Sequence, residues 1–211
     1  TEDDGQELGG LQFTLDGASV LFVRGGAPNR AGELPNPRSF SEGVTRASWI
    51  IPVAGGEARK LRDGGSVTLA PDGETAVYAS GDAVHRLRLD GEGEPDTLFH
   101  VRGGAGSLVF SPDGSRIAFV STRGDHSYVG VWAEGSEAVL WMSPGVWRDA
   151  EPVWSPDGKR VAFVRTLSIP GLWSFVPVPE TVPFSIRVAD VATGESREVF
   201  RADPGPGSAF H

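Results

Sequence analysis

The sequence predicts an all-β chain built of β-propeller blades, about four of them, each a four-stranded antiparallel sheet. Three observations carry this prediction. A single turn motif recurs four times along the 211 residues. Each copy is followed by a short strand that is apolar on both faces. No stretch of ten residues holds a 3.6-residue period free of Gly or Pro, so helices have no place to form.

The motif reads Phe13-Thr14-Leu15-Asp16-Gly17, Leu69-Ala70-Pro71-Asp72-Gly73, Phe110-Ser111-Pro112-Asp113-Gly114 and Trp154-Ser155-Pro156-Asp157-Gly158, with aspartates 56, 41 and 44 residues apart. Proline presets φ for the first corner of a tight turn, Asp tolerates the second, and Gly takes the positive-φ position. The strands that follow are 20–23, 76–79, 117–120 and 161–164, as in Ile117-Ala118-Phe119-Val120. A strand with one wet face alternates apolar and polar residues, so these four predict sheets covered on both sides, as in radially packed blades. Third and fourth strands complete each unit: 48–53 with 58–61, 84–89 with 97–99, 127–132 with 139–141, and 185–190 with 197–200.

The blades are placed at about 10–62, 65–102, 106–143 and 151–202, in a single partial propeller domain spanning 1–211. Residues before Leu11 read as the tail of a preceding blade, and 205–211 as the start of a further one. The expected whole is a seven- or eight-bladed ring.

Composition bounds the function classes. Glycine (29) and proline (16) are abundant enough for many turns, and 39% hydrophobic content with six Trp and eleven Phe is enough to fill a core. The net charge of −9 with no basic stripe argues against nucleic acid as a partner. Without cysteine there is no disulfide, thiolate nucleophile or Cys-based metal site. No apolar run reaches the ~20 residues that span a bilayer. His85, His100, His126 and His211 lie far apart with no metal-binding spacing between them. The acidic stretch 89–94 lacks EF-hand spacing and reads as a hairpin turn. Neither metal nor cofactor is expected.

The segments Phe110 to Phe119 and Trp154 to Phe163 resemble the blade signature shared by TolB-type propellers and the serine peptidases of the prolyl oligopeptidase (S9) clan. The insertion Arg24 to Glu33 and the segment His126-Ser127-Tyr128 look most like the propeller of bacterial dipeptidyl peptidase IV-like enzymes. The resemblance implies a propeller that gates and positions peptide substrate for a separate α/β-hydrolase domain of the parent chain. That domain would carry its nucleophile in a G-x-S-x-G elbow. No G-x-S-x-G occurs in these residues, so no catalytic residue is assigned here. The alternative is a TolB-like, non-enzymatic periplasmic interaction scaffold, and both readings imply a periplasmic or secreted protein. A homo-oligomer is left open.

Loop lengths place function at one end of the sheets. The motif turns and the third-to-fourth-strand turns are tight. The second-to-third-strand loops and the connections between blades hold the long insertions, 25–46 and 167–183, with 121–126 and 143–151. Long loops on a rigid scaffold usually carry function. Arg123, Asp125, His126, Arg148 and Glu151 are therefore the substrate-facing candidates, and Trp173 and Phe175 the interface candidates. The family pattern implies an Arg just before the His-Ser-Tyr segment, where this chain has Asp125. It also implies an adjacent acidic pair ahead of a Trp-Ser-Pro blade start, where this chain has Arg148-Asp149-Ala150-Glu151. The plainer reading makes Asp149 and Glu151 solvated loop carboxylates or turn caps, and gives Arg123 and Arg148 neighbouring acids as ion-pair partners.

Overall fold

The computed structural model describes residues 5–29, 31–36, 39, 43–167 and 184–202. The expected fifth-blade start at 205–211 and the interface candidates Trp173 and Phe175 lie outside the described residues. Sixteen strands and no helix are present among the described residues. They are β1 (Leu8–Phe13), β2 (Ser19–Arg24), β3 (Ala47–Pro52), β4 (Arg59–Asp63), β5 (Thr68–Leu69), β6 (Thr75–Ser80), β7 (Ala83–Arg88) and β8 (Asp96–His100). The second half of the chain gives β9 (Gly104–Phe110), β10 (Arg116–Arg123), β11 (His126–Ala133), β12 (Val139–Trp141), β13 (Trp147–Trp154), β14 (Arg160–Leu167), β15 (Phe184–Asp190) and β16 (Ser196–Arg201). The first strand begins at Leu8, ahead of the expected Leu11.

Strand order follows chain order: β1-β2-β3-β4, β5-β6-β7-β8, β9-β10-β11-β12 and β13-β14-β15-β16. The third and fourth sheets are joined by one parallel bridge, Ser127 to Arg148. Contacts divide the chain into two compact units, 1–76 with 87–94, and 77–86 with 95–211, and each is described by itself.

The turn motif folds as its chemistry requires. The Ser111 hydroxyl donates to Asp113 Oδ1 at 2.6 Å and accepts the Arg116 N–H at 3.0 Å, while Asp113 also accepts the Ser115 N–H. Thr14 with Asp16 and Ser155 with Asp157 repeat the arrangement. The second copy has Ala70 where the others have a hydroxyl. There Thr75 supplies one from the far side of the turn, donating to Asp72 at 2.7 Å. The glycine of each motif has φ between 66° and 75°.

A second repeated device was not visible in the sequence. The first strand of three sheets carries one extra residue, at Gly9/Gln12 on β1, within 106–109 on β9 and within 150–153 on β13. Each bulge holds a residue in the left-handed region: Gly10 (φ 62°), Ser107 (φ 49°) and Glu151 (φ 54°). All three stand six residues before the motif aspartate. Glycine accepts this conformation freely, whereas Ser and Glu carry strain there.

In the 77–86/95–211 unit the two faces of β10 are both dry, as expected, and its alternation divides them between two cores. Ile117 and Phe119 pack with Val77, Val84, Phe99, Leu108 and Trp132. Ala118 and Val120 pack with Val129, Val131, Met142, Trp154, Val161 and Phe163. Trp154 ties the third and fourth sheets further, its indole N–H donating to Val109 O at 3.0 Å. Gly130 on β11 is required by this packing: a Cβ there would sit 2.8 Å from the Phe119 ring and 2.9 Å from that of Trp141. In the 1–76/87–94 unit, β2 buries Leu21 and Val23 on one face, while Val20 and Phe22 on the other are half-buried. Leu8, Leu11 and Phe13 of β1 are exposed. Two-sided burial, predicted for every second strand, is therefore incomplete at β2, and likewise at β14, where Val161 and Phe163 are buried but Ala162 and Val164 are half-buried.

Candidate functional site

Within the 77–86/95–211 unit, four of the five substrate-facing candidates meet at one end of the third and fourth sheets. The β10–β11 turn is Arg123-Gly124-Asp125-His126, closed by pairing of Arg123 with His126. Because β11 and β13 run parallel from Ser127 and Arg148, the head of β13 lies beside that turn. Arg148 Nη2 donates to Gly124 O at 3.4 Å. Ser127 reinforces the junction by donating to Asp149 O at 2.8 Å.

Arg123 is held by rings. Its guanidinium lies 4.8 Å from the Tyr128 ring centroid and 5.0 Å from that of Trp141, and its Nε–H reaches Ser121 Oγ at 3.4 Å. The shelf is itself buttressed, Trp141 edge-on to Phe119 at 5.8 Å and to Tyr128 at 6.0 Å. His126 packs on Tyr128 at 5.0 Å and bonds Asp125 Oδ1 through Nδ1 at 2.7 Å. That bond, first among its causes, holds the Asp125 carboxyl below the usual carboxylate range, so the carboxylate accepts and His126 Nδ1 donates.

The plainer reading is corrected at two residues. Asp149 is not a solvated loop carboxylate. It is 1% exposed and takes a bidentate bond from Arg165, Nε to Oδ1 at 2.6 Å and Nη2 to Oδ2 at 2.8 Å. Alternation along β13 turns Asp149 inward while its neighbour Arg148 faces out. Burial, the largest influence, pushes the Asp149 carboxyl up, and the Arg165 guanidinium pulls against it. Arg123 stacks on rings where a neighbouring acid was expected as its partner, whereas Arg148 bonds the Gly124 carbonyl and its charge also helps to lower the Asp125 carboxyl. Glu151 stands apart from the cluster, exposed on the β13 bulge.

Sequence reasoning missed the Asp149–Arg165 pair and the Tyr128–Trp141 shelf. The pair had a signal, since an arginine directly after the apolar run Val161 to Val164 requires a buried partner. The shelf had none, because Trp141 reaches Tyr128 through the pairing of β12 with β11.

At the opposite end of the same two sheets lies a cleft lined by Val131, Leu140 and Val191, with Arg116, Lys159 and Asp190 at its rim. Among the described residues no three His, Asp or Glu side chains converge as metal ligands. None of the described residues forms a helix long and apolar enough to cross a membrane.

Known structures share this arrangement. A puromycin-hydrolysing peptidase of Mycobacterium tuberculosis superposes with a TM-score of 0.64 at 15% identity, over 92% of this chain and 29% of that one. The β-propeller domain of the Trilobed protease of Pyrococcus furiosus gives 0.59 at 14%, over 92% and 57%. The fold is a β-propeller. A protein of Agrobacterium tumefaciens assigned as TolB gives 0.58 at 18% identity, over 95% of this chain and 83% of that one. This chain thus spans most of that protein, just over half of the Trilobed propeller domain and under a third of the Mycobacterium peptidase. Its four sheets are the blades, with the Arg123–Arg148 cluster where blade three meets blade four. No protein-family model matches the sequence, and no curated protein matches it.

Proposed function

We propose that this propeller is the non-catalytic portion of a serine peptidase of the prolyl oligopeptidase clan, gating and positioning peptide substrate for a separate α/β-hydrolase domain. The observation that carries the reading is the junction of blades three and four. Arg123 and His126 rest there on a buttressed shelf, with Asp125 bonded to His126 and Arg148 bonded to the Gly124 carbonyl, at the end of the blades that bears the connecting loops. A rigid scaffold presenting polar side chains beside loops is suited to holding an extended peptide while another domain acts on it. The long insertions at 25–46 and 167–183 fit this role better than that of a plain scaffold. Trp173 and Phe175, in the second insertion, are the proposed contacts with the hydrolase domain.

The test is the parent gene and its product. A G-x-S-x-G hydrolase domain on the same chain is expected, and the parent protein should be labelled by a fluorophosphonate probe while residues 1–211 alone are not. Labelling of 1–211 alone, or a parent without a hydrolase domain, overturns the reading. The second reading is a TolB-like interaction propeller, supported by the 83% coverage of the Agrobacterium protein. It predicts cross-linking to envelope proteins in intact cells. Both readings place the protein in the periplasm or outside the cell, and cell fractionation checks this.

A further inference from the structure

The joint between blades three and four shows how one blade of this chain seats on the next. Residues four and six places after the motif aspartate, Val161 and Phe163 in blade four, turn toward the preceding blade. Residues five and seven places after it, Ala118 and Val120 in blade three, turn toward the following one, and all four are buried in a single core. Trp154, three places before its aspartate, closes the joint on Val109, four places before the aspartate of blade three.

Blade one, in the 1–76/87–94 unit, carries the half of this joint that faces a preceding blade. Phe13 occupies the position of Trp154, and Val20 and Phe22 those of Val161 and Phe163. Strand pairing sets Ile51 and Trp49 of β3 beside Val20 and Phe22, on the same face. Yet Trp154 is 9% exposed and Phe13 64%, and Val20, Phe22, Trp49 and Ile51 are only half-buried.

Blade four, in the 77–86/95–211 unit, carries the other half. Ala162 and Val164 occupy the positions of Ala118 and Val120, and they pair with Val188 and Ile186. The counterparts of that second pair, Val131 and Val129, are buried in the joint, whereas Val188 and Ile186 are half-buried. Val153, the counterpart of Val109, is 60% exposed. Contiguous apolar faces left open to water mark interaction surfaces. Here the two faces are complementary, position by position, halves of a joint the chain already makes once. Unlike surfaces meeting between identical copies give a heterologous contact, which closes into a ring where the rotation allows. Two chains of four blades give eight, within the range with which propellers close.

We propose that blade four of one chain seats on blade one of a second copy, with Val153 against Phe13, and that two chains close head to tail into an eight-bladed ring. The ring goes beyond the peptidase reading and holds with or without a hydrolase domain on the parent chain, so the two proposals fail separately.

Sedimentation velocity of the purified 211-residue chain tests the ring, with twice the chain mass expected. Phe13→Asp and Val153→Asp, both at exposed side chains, each place a charge in both joints and should weaken dimerisation at least about a hundredfold. Circular dichroism checks that each variant is folded. Mixed one to one, the two variants regain one unaltered joint, so a mixed dimer should reappear. A contact of blade one with blade one would instead survive Val153→Asp. The chain has no cysteine, so Phe13→Cys combined with Val153→Cys and a short bis-maleimide reads the contact directly. A covalent dimer on a denaturing gel is expected. A mass other than twice that of the chain, a dimer that survives either Asp variant, no mixed dimer, or a cross-link confined to single chains overturns the ring.

Discussion

The Asp149–Arg165 pair offers the sharpest test of how blade four is held. Both side chains are nearly or fully buried, at 0% and 9% exposure, and the geometry is bidentate at 2.6 and 2.8 Å. Arg165 also donates to Ser143 O at 2.8 Å, tying the connection between blades three and four to β14. Removing one partner leaves the other charge buried without compensation, which costs about 3–5 kcal/mol. Arg165→Met and Asp149→Leu should each lose stability in that range. The double variant should lie within about 1 kcal/mol of the parent or above it, because apolar side chains of similar volume replace both charges. Urea unfolding followed by far-UV circular dichroism, with the slope checked for constancy, measures all three. The pH response of Arg165→Met adds a second reading. Burial raises the Asp149 carboxyl, and loss of the guanidinium removes what opposes that rise. A carboxyl raised in the folded state favours folding below its unfolded value and loses that contribution as pH rises through its folded value. Arg165→Met should therefore be least destabilised in acid. Single variants costing under about 1 kcal/mol, or a double variant costing their sum, would refute the reasoning.

Three further outcomes follow from the repeated devices. Glu151→Gly should stabilise the chain by up to about 1 kcal/mol, since it relieves a left-handed residue at φ 54° on the β13 bulge; thermal unfolding measures it. Gly130→Ala should destabilise by about 1–3 kcal/mol, because a Cβ would meet Phe119, Val139 and Trp141 below 3.0 Å, and urea unfolding gives the loss. Ser111, first among the causes, lowers the Asp113 carboxyl to about 2, while hydroxyl bonds also lower Asp16 and Asp157. A carboxyl depressed on folding contributes stability above its unfolded value near 3.9 and loses it as pH falls toward the folded value. Stability should thus decline between about pH 4 and pH 2, and Asp113→Asn should flatten that decline in an acid titration followed by circular dichroism.

The blades were legible because their signals are local. A Pro-Asp-Gly turn dictates its own φ angles, and a short strand with two apolar faces needs a layer on each side wherever it lies. The alternation of Ile117, Ala118, Phe119 and Val120 predicted two dry faces, although which core each side joins depended on neighbouring strands. The bulge six residues before each of three motif aspartates escaped notice, since Gly10, Ser107 and Glu151 share a backbone angle and no side-chain chemistry.

The sequence by itself determined the class of fold, the number of blades, the turns and the end of the blades where Arg123, Asp125, His126 and Arg148 stand. The turn hydrogen bonds span two to five residues, and strand burial follows a period of two, so nearby residues suffice to specify them. Only the tertiary structure decided that Asp149 is buried while Arg148 is exposed, that Arg165 is its partner, and that Arg123 rests on Tyr128 and Trp141. Those facts depend on the register between strands that are 16 to 22 residues apart in the chain. A shift of one residue in β13 would exchange the inward and outward faces, and no local signal around Arg148 and Asp149 records which way the strand settles.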